Sequence, residues 1–504
     1  MRFQILTVAS MILPCLVGQA FADRDADWKM AARIDELFES AWQEQGIQPA
    51  ELSSDAEFLR RASLDLTGVI PTVGNARAFL DSSSDDNRRE LVERLLASPR
   101  FPTHLANTFR NVILPSENNN NPFANSDGLQ SWLRQQFVKN LRYDRIVSEF
   151  IAAQGNDQDG PAIFYRSLEA KPEKLAASTA RVFLGLQIQC AQCHDHPFDD
   201  WSQEEFWQYA AFFAQLQAPG NNMAQFELVD LDTGEVSLPD SDEPVAPKYP
   251  RGRMADAKEG GSRRIQLSIW MASRDNPFLA TAAVNRVWAI MFGKGLIDPV
   301  DDIGPHNPAA HPEVMKELTE YFVAKGFDVR SLFRVIANSR VYQRTSQQNG
   351  DAAEPQLFEH MYVKTMTPDQ LFDSLSQAFL QPSLAADGRV RSEFARQMGA
   401  ATPDRTEYSA GIQQALNMMN GGQVIGATGP NSTGILSAIE TPWLNDSEKI
   451  NSLVLAALTR FPNEQERNVF SEYLSKSSSS DERRQALGDI MWALVNSAEF
   501  QLNH

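Results

Sequence analysis

Apolar residues recur at helical spacing along most of this chain, and this periodicity is the strongest constraint on its fold. The clearest case begins at Pro312, where apolar side chains collect on one face of a predicted helix. These side chains are Val314, Met315, Leu318, Tyr321 and Phe322. Pro312 suits the first turn of a helix, and Gly326 suits the residue just past its end. Similar patterns along the sequence predict a mainly α-helical protein.

One stretch departs from the helical pattern. Between residues 225 and 250, apolar and polar residues alternate around the turn signal Asp232-Thr233-Gly234, which predicts a β-hairpin. The residues that follow, up to 263, are rich in Pro, Asp, Gly and Arg and have no periodicity. The sequence therefore predicts a helical domain at 23–218, a hairpin and linker at 219–263, and a helical domain at 264–504.

The first 22 residues are typical of an export signal. Arg2 provides a charged start, residues 5–17 are mostly apolar, and Ala20-Phe21-Ala22 matches a small-x-small cleavage site. Cleavage before Asp23 would remove Cys15 with the signal. We therefore expect a mature protein in the periplasm or outside the cell.

Charge and hydropathy argue against a nucleic-acid partner and against a membrane-spanning segment. The formal charge of −19 becomes −20 when Arg2 is removed, and no basic stripe is left to bind phosphates, so a nucleic-acid partner is not expected. After the signal, no apolar run approaches the roughly 18 residues that a membrane-spanning helix needs. Apolar residues make up 42% of the chain, which is enough for a conventional hydrophobic core.

The sharpest chemical signal is the C-x-x-C-H motif of Cys190, Cys193 and His194. Two thiols about one helical turn apart can join the two vinyl groups of one haem, and the adjacent histidine can then bind the iron. The motif uses both cysteines that remain after cleavage. It therefore predicts one covalently bound haem c, and with it an electron-transfer role.

Other interpretations of the same residues remain open. The cysteine pair could close as a small disulfide in an oxidising compartment. Alternatively, Cys190, Cys193, His194 and His196 supply four ligands that would suit zinc or iron.

A haem iron also needs a sixth ligand or an open position. Met223 lies in a polar loop downstream of the motif, and a methionine there could approach the other face of the iron. Five aromatic residues could form an apolar wall for the macrocycle, although such a stripe is more often core. They are Trp201, Phe206, Trp207, Phe212 and Phe213.

A second polar cluster lies at residues 298–311, where three aspartates and two histidines fall in one loop before a helix. Asp301 and His311 are its candidate metal ligands or acid–base pair. The alternative is structural: His311 and Asn307 would cap the following helix, and the aspartates would bind backbone amides.

Several segments resemble the planctomycete cytochrome-like domain of unknown function and the C-terminal companion domain, also of unknown function, that usually follows it. Residues 58–72 and 186–198 carry the resemblance to the first domain. The companion domain is indicated by residues 276–278, 284–288, 295–302, 311–312, 338–342 and 492–500. The resemblance extends from about residue 27 to the end of the sequence. It implies that C-x-x-C-H and the loop of Asp301 and His311 are characteristic of the family.

Three functions are compatible with the sequence. The first is electron transfer by one haem at Cys190, Cys193 and His194. The second is an extracytoplasmic metal-dependent enzyme that uses the C-x-x-C-H-x-H segment and the Asp/His loop. The third is a structural or interaction protein with a C-x-x-C disulfide. The sequence identifies neither a redox partner nor a substrate.

Overall fold

The structure is a computed structural model that describes residues 6–114, 127–156, 160–217, 227–256, 260–347, 357–381, 388–399, 406 and 412–504. Over these residues the protein is mainly α-helical, as predicted. The helices, in chain order, are α1 (Leu6–Gln45), α2 (Asp55–Thr67), α3 (Val73–Leu80), α4 (Asn87–Ala97), α5 (Arg100–Ile113), α6 (Asp127–Val138), α7 (Tyr143–Ile151), α8 (Ala162–Ser167), α9 (Pro172–Thr179), α10 (Gln203–Ala210), α11 (Arg263–Met271), α12 (Leu279–Phe292), α13 (Pro312–Ala324), α14 (Val329–Asn338), α15 (Pro368–Ala378), α16 (Gly388–Met398), α17 (Ile412–Asn420), α18 (Gly422–Thr428), α19 (Ile435–Ile439), α20 (Asp446–Leu458), α21 (Glu464–Ser475), α22 (Ser480–Val495) and α23 (Ala498–Gln501).

The remaining regular elements are short. A π-helical turn spans Ala180–Leu184, and 3-10 turns span Gln189–Gln192 and Ala211–Phe213. Two small antiparallel sheets pair β1 (Gly155–Asn156) with β2 (Glu227–Leu228), and β3 (Lys364–Thr365) with β4 (Leu502–Asn503). In the part of the chain that is described, no helix is both long and apolar enough to span a membrane.

Helix starts follow the local chemistry of the sequence. Pro312 occupies the first turn of α13, and the helix buries Val314, Met315, Leu318 and Phe322. At α15 a capping box joins Thr367 and Gln370, whose side chains satisfy each other's backbone N–H groups. These starts were predictable because a cap needs only neighbouring residues.

The buried apolar residues form two main clusters. The first runs from Ala31 to Tyr362 and includes Leu455, and the second consists of Leu64, Ile70 and residues from Met366 to Phe500. Helix α2 contributes to both, through Phe58 on one side and Leu64 on the other. The predicted domain division at 219–263 is a statement about which parts of the chain fold independently. Packing clusters do not test it, so it stays a prediction.

Helix α2 also buries charged side chains. Arg60 donates to the carbonyl oxygens of Ala457 and Phe500, at 3.0 and 2.7 Å. Asp65 accepts from Lys364 Nζ at 2.7 Å, and neither side chain is exposed to solvent. These bonds fasten the chain around β3 and β4 to α2.

The segment predicted as a hairpin pairs differently from the expectation. Residues 229–231 pair with 215–217, through Gln217 N–H to Val229 O at 3.0 Å and Leu231 N–H to Gln215 O at 2.7 Å. The turn signal at 232–234 instead leads to a separate bridge between Ser237 and Pro244. The expected pairing across this turn is not the one formed, because alternation indicates a strand but not its partner.

Candidate functional site

The C-x-x-C-H motif lies on a surface turn whose backbone is anchored in the core. It follows the π-helical turn, and the 3-10 turn Gln189–Gln192 contains its first cysteine. Ala191, between the cysteines, is fully buried, whereas Cys190, Cys193 and His194 are exposed. Both thiols are free. The turn therefore presents its two thiols and its imidazole to solvent from a fixed backbone.

Helix α10 fixes this turn from one side. Gln203 Nε2 donates to Cys193 O at 2.7 Å, and Trp207 Nε1 donates to Gln192 O at 3.1 Å. The backbone N–H of Gln203 donates to Asp195 Oδ1 at 2.8 Å. A capping box of Ser202 and Glu205 starts the helix at this point. The predicted start of α10 is confirmed, and it places the side chains that hold the motif.

The two histidines of the C-x-x-C-H-x-H segment have opposite hydrogen-bonding roles. His194 Nδ1 lies 2.8 Å from Asp195 O, and because a carbonyl oxygen only accepts, Nδ1 carries the proton. In neutral His194, the lone pair on Nε2 is then available to bind a metal ion or the iron of a haem. His196 Nδ1 accepts from the N–H groups of Phe198 and Asp199, at 3.3 and 3.0 Å. In its neutral form, His196 therefore carries its proton on Nε2.

The second predicted cluster packs against residues on either side of the motif. Ile303 N–H donates to Gly185 O at 2.8 Å, so the loop before α13 touches the residue that ends the π-helical turn. His306 Nδ1 lies 3.8 Å from Asp199 Oδ2, and its Nε2 lies 3.1 Å from Asp302 Oδ1. The rings of His306 and His196 are 6.5 Å apart. The two polar clusters, which are about 100 residues apart in sequence, thus form one surface region.

The two residues selected from that loop by sequence have other partners. Asp301 forms ion pairs with Arg286 at 2.5 Å and Arg181 at 3.1 Å. His311 precedes α13 and is buried, with its ring 4.3 Å from that of Phe38. Within the described ranges, no group of three or more His, Cys, Asp or Glu side chains is arranged to hold a metal ion. The zinc or iron site stays a prediction.

The predicted surroundings of a haem are only partly described. Met223 lies outside the described residues, so its role as sixth ligand stays a prediction. Of the five predicted wall aromatics, Trp201, Phe206, Phe212 and Phe213 are buried in the core. Phe212, for example, stacks on Tyr249 with the ring centroids 4.9 Å apart. These rings already have protein partners.

Two linker cations lie close to carboxylates of the motif region: Arg251 is 3.8 Å from both Asp199 and Glu205, and Lys248 is 3.9 Å from Glu205. The guanidinium of Arg251 lies 4.1 Å from the ring centroid of Trp201 and 3.8 Å from Asp199 Oδ1.

Behind α10, the hydroxyl of Tyr209 lies 2.9 Å from Thr179 Oγ1, and burial raises the pKa of Tyr209. That phenol stays neutral at ordinary pH and serves packing.

Two family descriptions match the chain. Residues 33–218 match PSCyt2, a protein of unknown function (DUF1549), and residues 263–401 match PSD1, a protein of unknown function (DUF1553). The chain thus matches these two domains of unknown function in this order. The resemblance seen in the sequence is therefore confirmed for both domains and their order. No curated protein and no solved structure matches the chain.

The candidate site is built by both domains. The PSCyt2 domain supplies the motif turn and α10, and the PSD1 domain supplies the loop of Asp302 and His306. Sequence reasoning included these two residues in its cluster but selected Asp301 and His311 instead. The signal that could have identified them is their spacing, since Asp302 and His306 are four residues apart.

Sequence reasoning also missed Phe198 and Gln203. Phe198 belongs to the segment that resembles PSCyt2, and its side chain is 79% exposed beside the motif. The capping-box pattern could have indicated Gln203. Its hydrogen bond to Cys193 O is visible only in the folded structure.

Proposed function

We propose that this protein carries one c-type haem, attached through thioethers to Cys190 and Cys193 with His194 Nε2 as an axial ligand, and that it transfers electrons outside the cytoplasm. Residues 1–22 would direct its export, since haem c is attached on that side of the membrane. When bound, the haem would supply a one-electron couple to a surface site.

The hydrogen bond of His194 carries this proposal. A proximal histidine needs a proton on Nδ1 and a free lone pair on Nε2, and the Asp195 carbonyl selects that tautomer. His194 is also exposed on the same turn as two free thiols. Thus the three groups that attachment requires are accessible.

The chain's own residues would hold the attachment site in place. Gln203 and Trp207 bind backbone carbonyls of the turn, so their side chains stabilise its shape without using the thiols. The carbonyl of Asp195 orients the imidazole. The exposed ring of Phe198 offers apolar surface next to the motif.

The hydrogen bonds of His194 and His196 favour haem over a metal site with four protein ligands. A neutral imidazole binds a metal through an unprotonated nitrogen, and His196 uses its unprotonated Nδ1 to accept two backbone N–H groups. Binding a metal through His196 would cost these bonds or the Nε2 proton. No comparable cost applies to His194.

The test is expression of the full chain in a bacterial periplasm together with a haem-attachment system. We expect a purified protein that starts at Asp23, keeps its colour after acid–acetone extraction and gives the pyridine haemochrome spectrum of a thioether-linked haem. The double variant Cys190→Ser/Cys193→Ser should be colourless. His194→Ala should change the Soret band, whereas the matched control His196→Ala should keep the wild-type spectrum.

A colourless wild-type protein under these conditions contradicts the haem proposal. Metal analysis and thiol titration of that protein would then separate the zinc or iron site from a disulfide. A spectrum that changes in His196→Ala but not in His194→Ala would contradict the assignment of the axial ligand. In a haem-loaded protein, an unchanged spectrum of Met223→Ala would rule out Met223 as sixth ligand.

A further inference from the structure

A short loop of the linker, residues 247–255, packs beside the helix that binds the motif turn. The backbone N–H of Lys248 donates to Gln208 O in α10 at 3.2 Å. The buried ring of Tyr249 stacks on that of Phe212, just after α10, with the centroids 4.9 Å apart. These two contacts hold the tip of the loop at a fixed place next to α10.

Arg251, at the tip of this loop, has a left-handed backbone conformation with φ +53°. Glycine adopts this conformation without the steric strain that an arginine has there. The guanidinium of Arg251 lies 4.1 Å from the ring centroid of Trp201. Its two terminal nitrogens each lie 3.8 Å from a carboxylate, one of Asp199 and the other of Glu205. The strained position is therefore accompanied by three contacts that a glycine could not make.

These contacts differ from those of an ordinary surface ion pair. Such a pair contributes little to stability, because two exposed side chains must be ordered and salt screens their charges. Here Trp201 is only 4% exposed and the side chain of Asp199 only 7%. Their surroundings already hold both groups, so Arg251 joins two ordered partners.

The contact with Trp201 leads to the peptide unit that orients His194. Trp201 O accepts the backbone N–H of His196 at 2.7 Å. That N–H belongs to the same planar peptide unit as the carbonyl of Asp195, which lies 2.8 Å from His194 Nδ1. Movement of Trp201 would release this peptide unit and let the Asp195 carbonyl turn away from the imidazole.

The other two contacts lead to neighbouring parts of the same segment. The backbone N–H of Asp199 donates to His196 Nδ1 at 3.0 Å. Glu205 Oε2 accepts the N–H of Ser202 at 3.2 Å, in the capping box that starts α10. All three partners of Arg251 thus bind the motif segment or the start of the helix that holds it.

We propose that Arg251 is a positioning residue for the C-x-x-C-H motif, which acts through Trp201 to fix the peptide unit that selects the tautomer of His194. The inference deepens the proposed function and rests on it, because that tautomer leaves His194 Nε2 free to bind the iron. Arg251 lies between the two ranges that match domain descriptions. The linker would thus contribute to the site and not only connect the two domains.

Histidine NMR at pH 8 on the full mature chain, prepared without haem, tests this proposal. Two-bond ¹H–¹⁵N spectra of histidine-labelled protein report which ring nitrogen carries the proton, and hydrogen exchange reports on the backbone. We expect wild-type His194 to carry its proton on Nδ1. In Arg251→Gln we expect a mixture of tautomers and at least tenfold faster exchange of the His196 N–H. Arg251→Lys should retain the wild-type behaviour, because lysine keeps a cation beside the ring and the carboxylates.

A glycine variant separates positioning from folding. Arg251→Gly suits the left-handed backbone, so it should unfold in urea no more easily than Arg251→Gln and yet show the same mixture of tautomers. The matched control is Arg89→Gln. Arg89 also lies over a tryptophan ring, that of Trp28 at 5.4 Å, and pairs with Asp86. This control should leave the tautomer of His194 unchanged.

Three outcomes would overturn the proposal. They are a wild-type tautomer of His194 in both Arg251→Gln and Arg251→Gly, a mixture of tautomers in Arg251→Lys, or the same change in Arg89→Gln. None of these measurements uses haem. A colourless wild-type protein would contradict the proposed function without changing their result, whereas an unchanged tautomer in a protein that does bind haem would contradict the role of Arg251 alone.

Discussion

At the scale of single residues, the partner of one nitrogen decides what a histidine can do. In His194 the Nδ1 atom faces a carbonyl oxygen, whereas in His196 it faces backbone N–H groups. This leaves one Nε2 with a lone pair and the other with a proton. The sequence assigned His194 to the haem and His196 only to the alternative metal site, but it could not show which ring nitrogen is available, because that depends on backbone direction.

Asp35 shows the same dependence on surroundings for a carboxylate. Burial raises the pKa of Asp35 to about 6, although backbone hydrogen bonds from Arg340 and Val341 oppose the shift. The unfolded chain has the ordinary pKa near 3.8. Folding therefore opposes ionisation of Asp35, and its contribution to stability is lost as the pH rises through about 6.

Asp35→Asn should raise the free energy of unfolding at pH 8 by on the order of 1–2 kcal/mol, because the neutral amide has no buried charge and still accepts from Val341 N–H. Near pH 4 the gain should disappear. Urea unfolding of both proteins at several pH values measures the difference. Glu44→Gln, an exposed position on the same helix, should give no pH-dependent difference, and equal gains at pH 4 and pH 8 would contradict the prediction.

At the scale of elements, close backbone approach brings the two domains' loops together. Gly185 ends the π-helical turn with φ +67°, and a Cβ there would lie 2.6 Å from Ile303 Cδ1. The same residue's carbonyl accepts from Ile303 N–H. The sequence indicated both loops from their composition, but their contact depends on atoms more than 100 residues apart.

Gly185→Ala should destabilise the protein by about 2–4 kcal/mol, since it adds a collision with Ile303 to the strain of a left-handed alanine. Gly46 is the matched control: its φ is +68°, and nothing lies within 4 Å of its Cβ position. Gly46→Ala should cost only about 1 kcal/mol. Denaturant unfolding measures both changes, and similar costs at the two positions would show that the loop contact is not tight.

At the scale of the whole molecule, the apolar core does not stop at the linker. The first cluster joins residues on both sides of 219–263, such as Phe183 and Trp288. Arg60 and Asp65 of α2 bind residues close to the end of the sequence. The sequence suggested two successive helical domains because composition changes at the linker, but composition does not reveal which faces meet.

A fragment of residues 23–263 should therefore fail to unfold cooperatively, because the apolar faces that it shares with α12 and α14 would be exposed. The full mature chain should show a sigmoidal urea transition by circular dichroism. The fragment should bind a dye for exposed apolar surface. A sigmoidal fragment transition with little dye binding would instead confirm the domain division as one of independent folding units.

Local chemistry alone determined much of this protein. Periodicity and caps predicted the helical class and the starts of α10, α13 and α15, because helices form from neighbours along the chain. The spacing of Cys190, Cys193 and His194 indicated the motif turn for the same reason. The tertiary structure alone decided that His306 lies beside Asp199 and His196, and that Asp301 and His311 are engaged elsewhere. Those contacts join residues far apart in sequence, and the packing of helix faces, rather than any local pattern, brings them together.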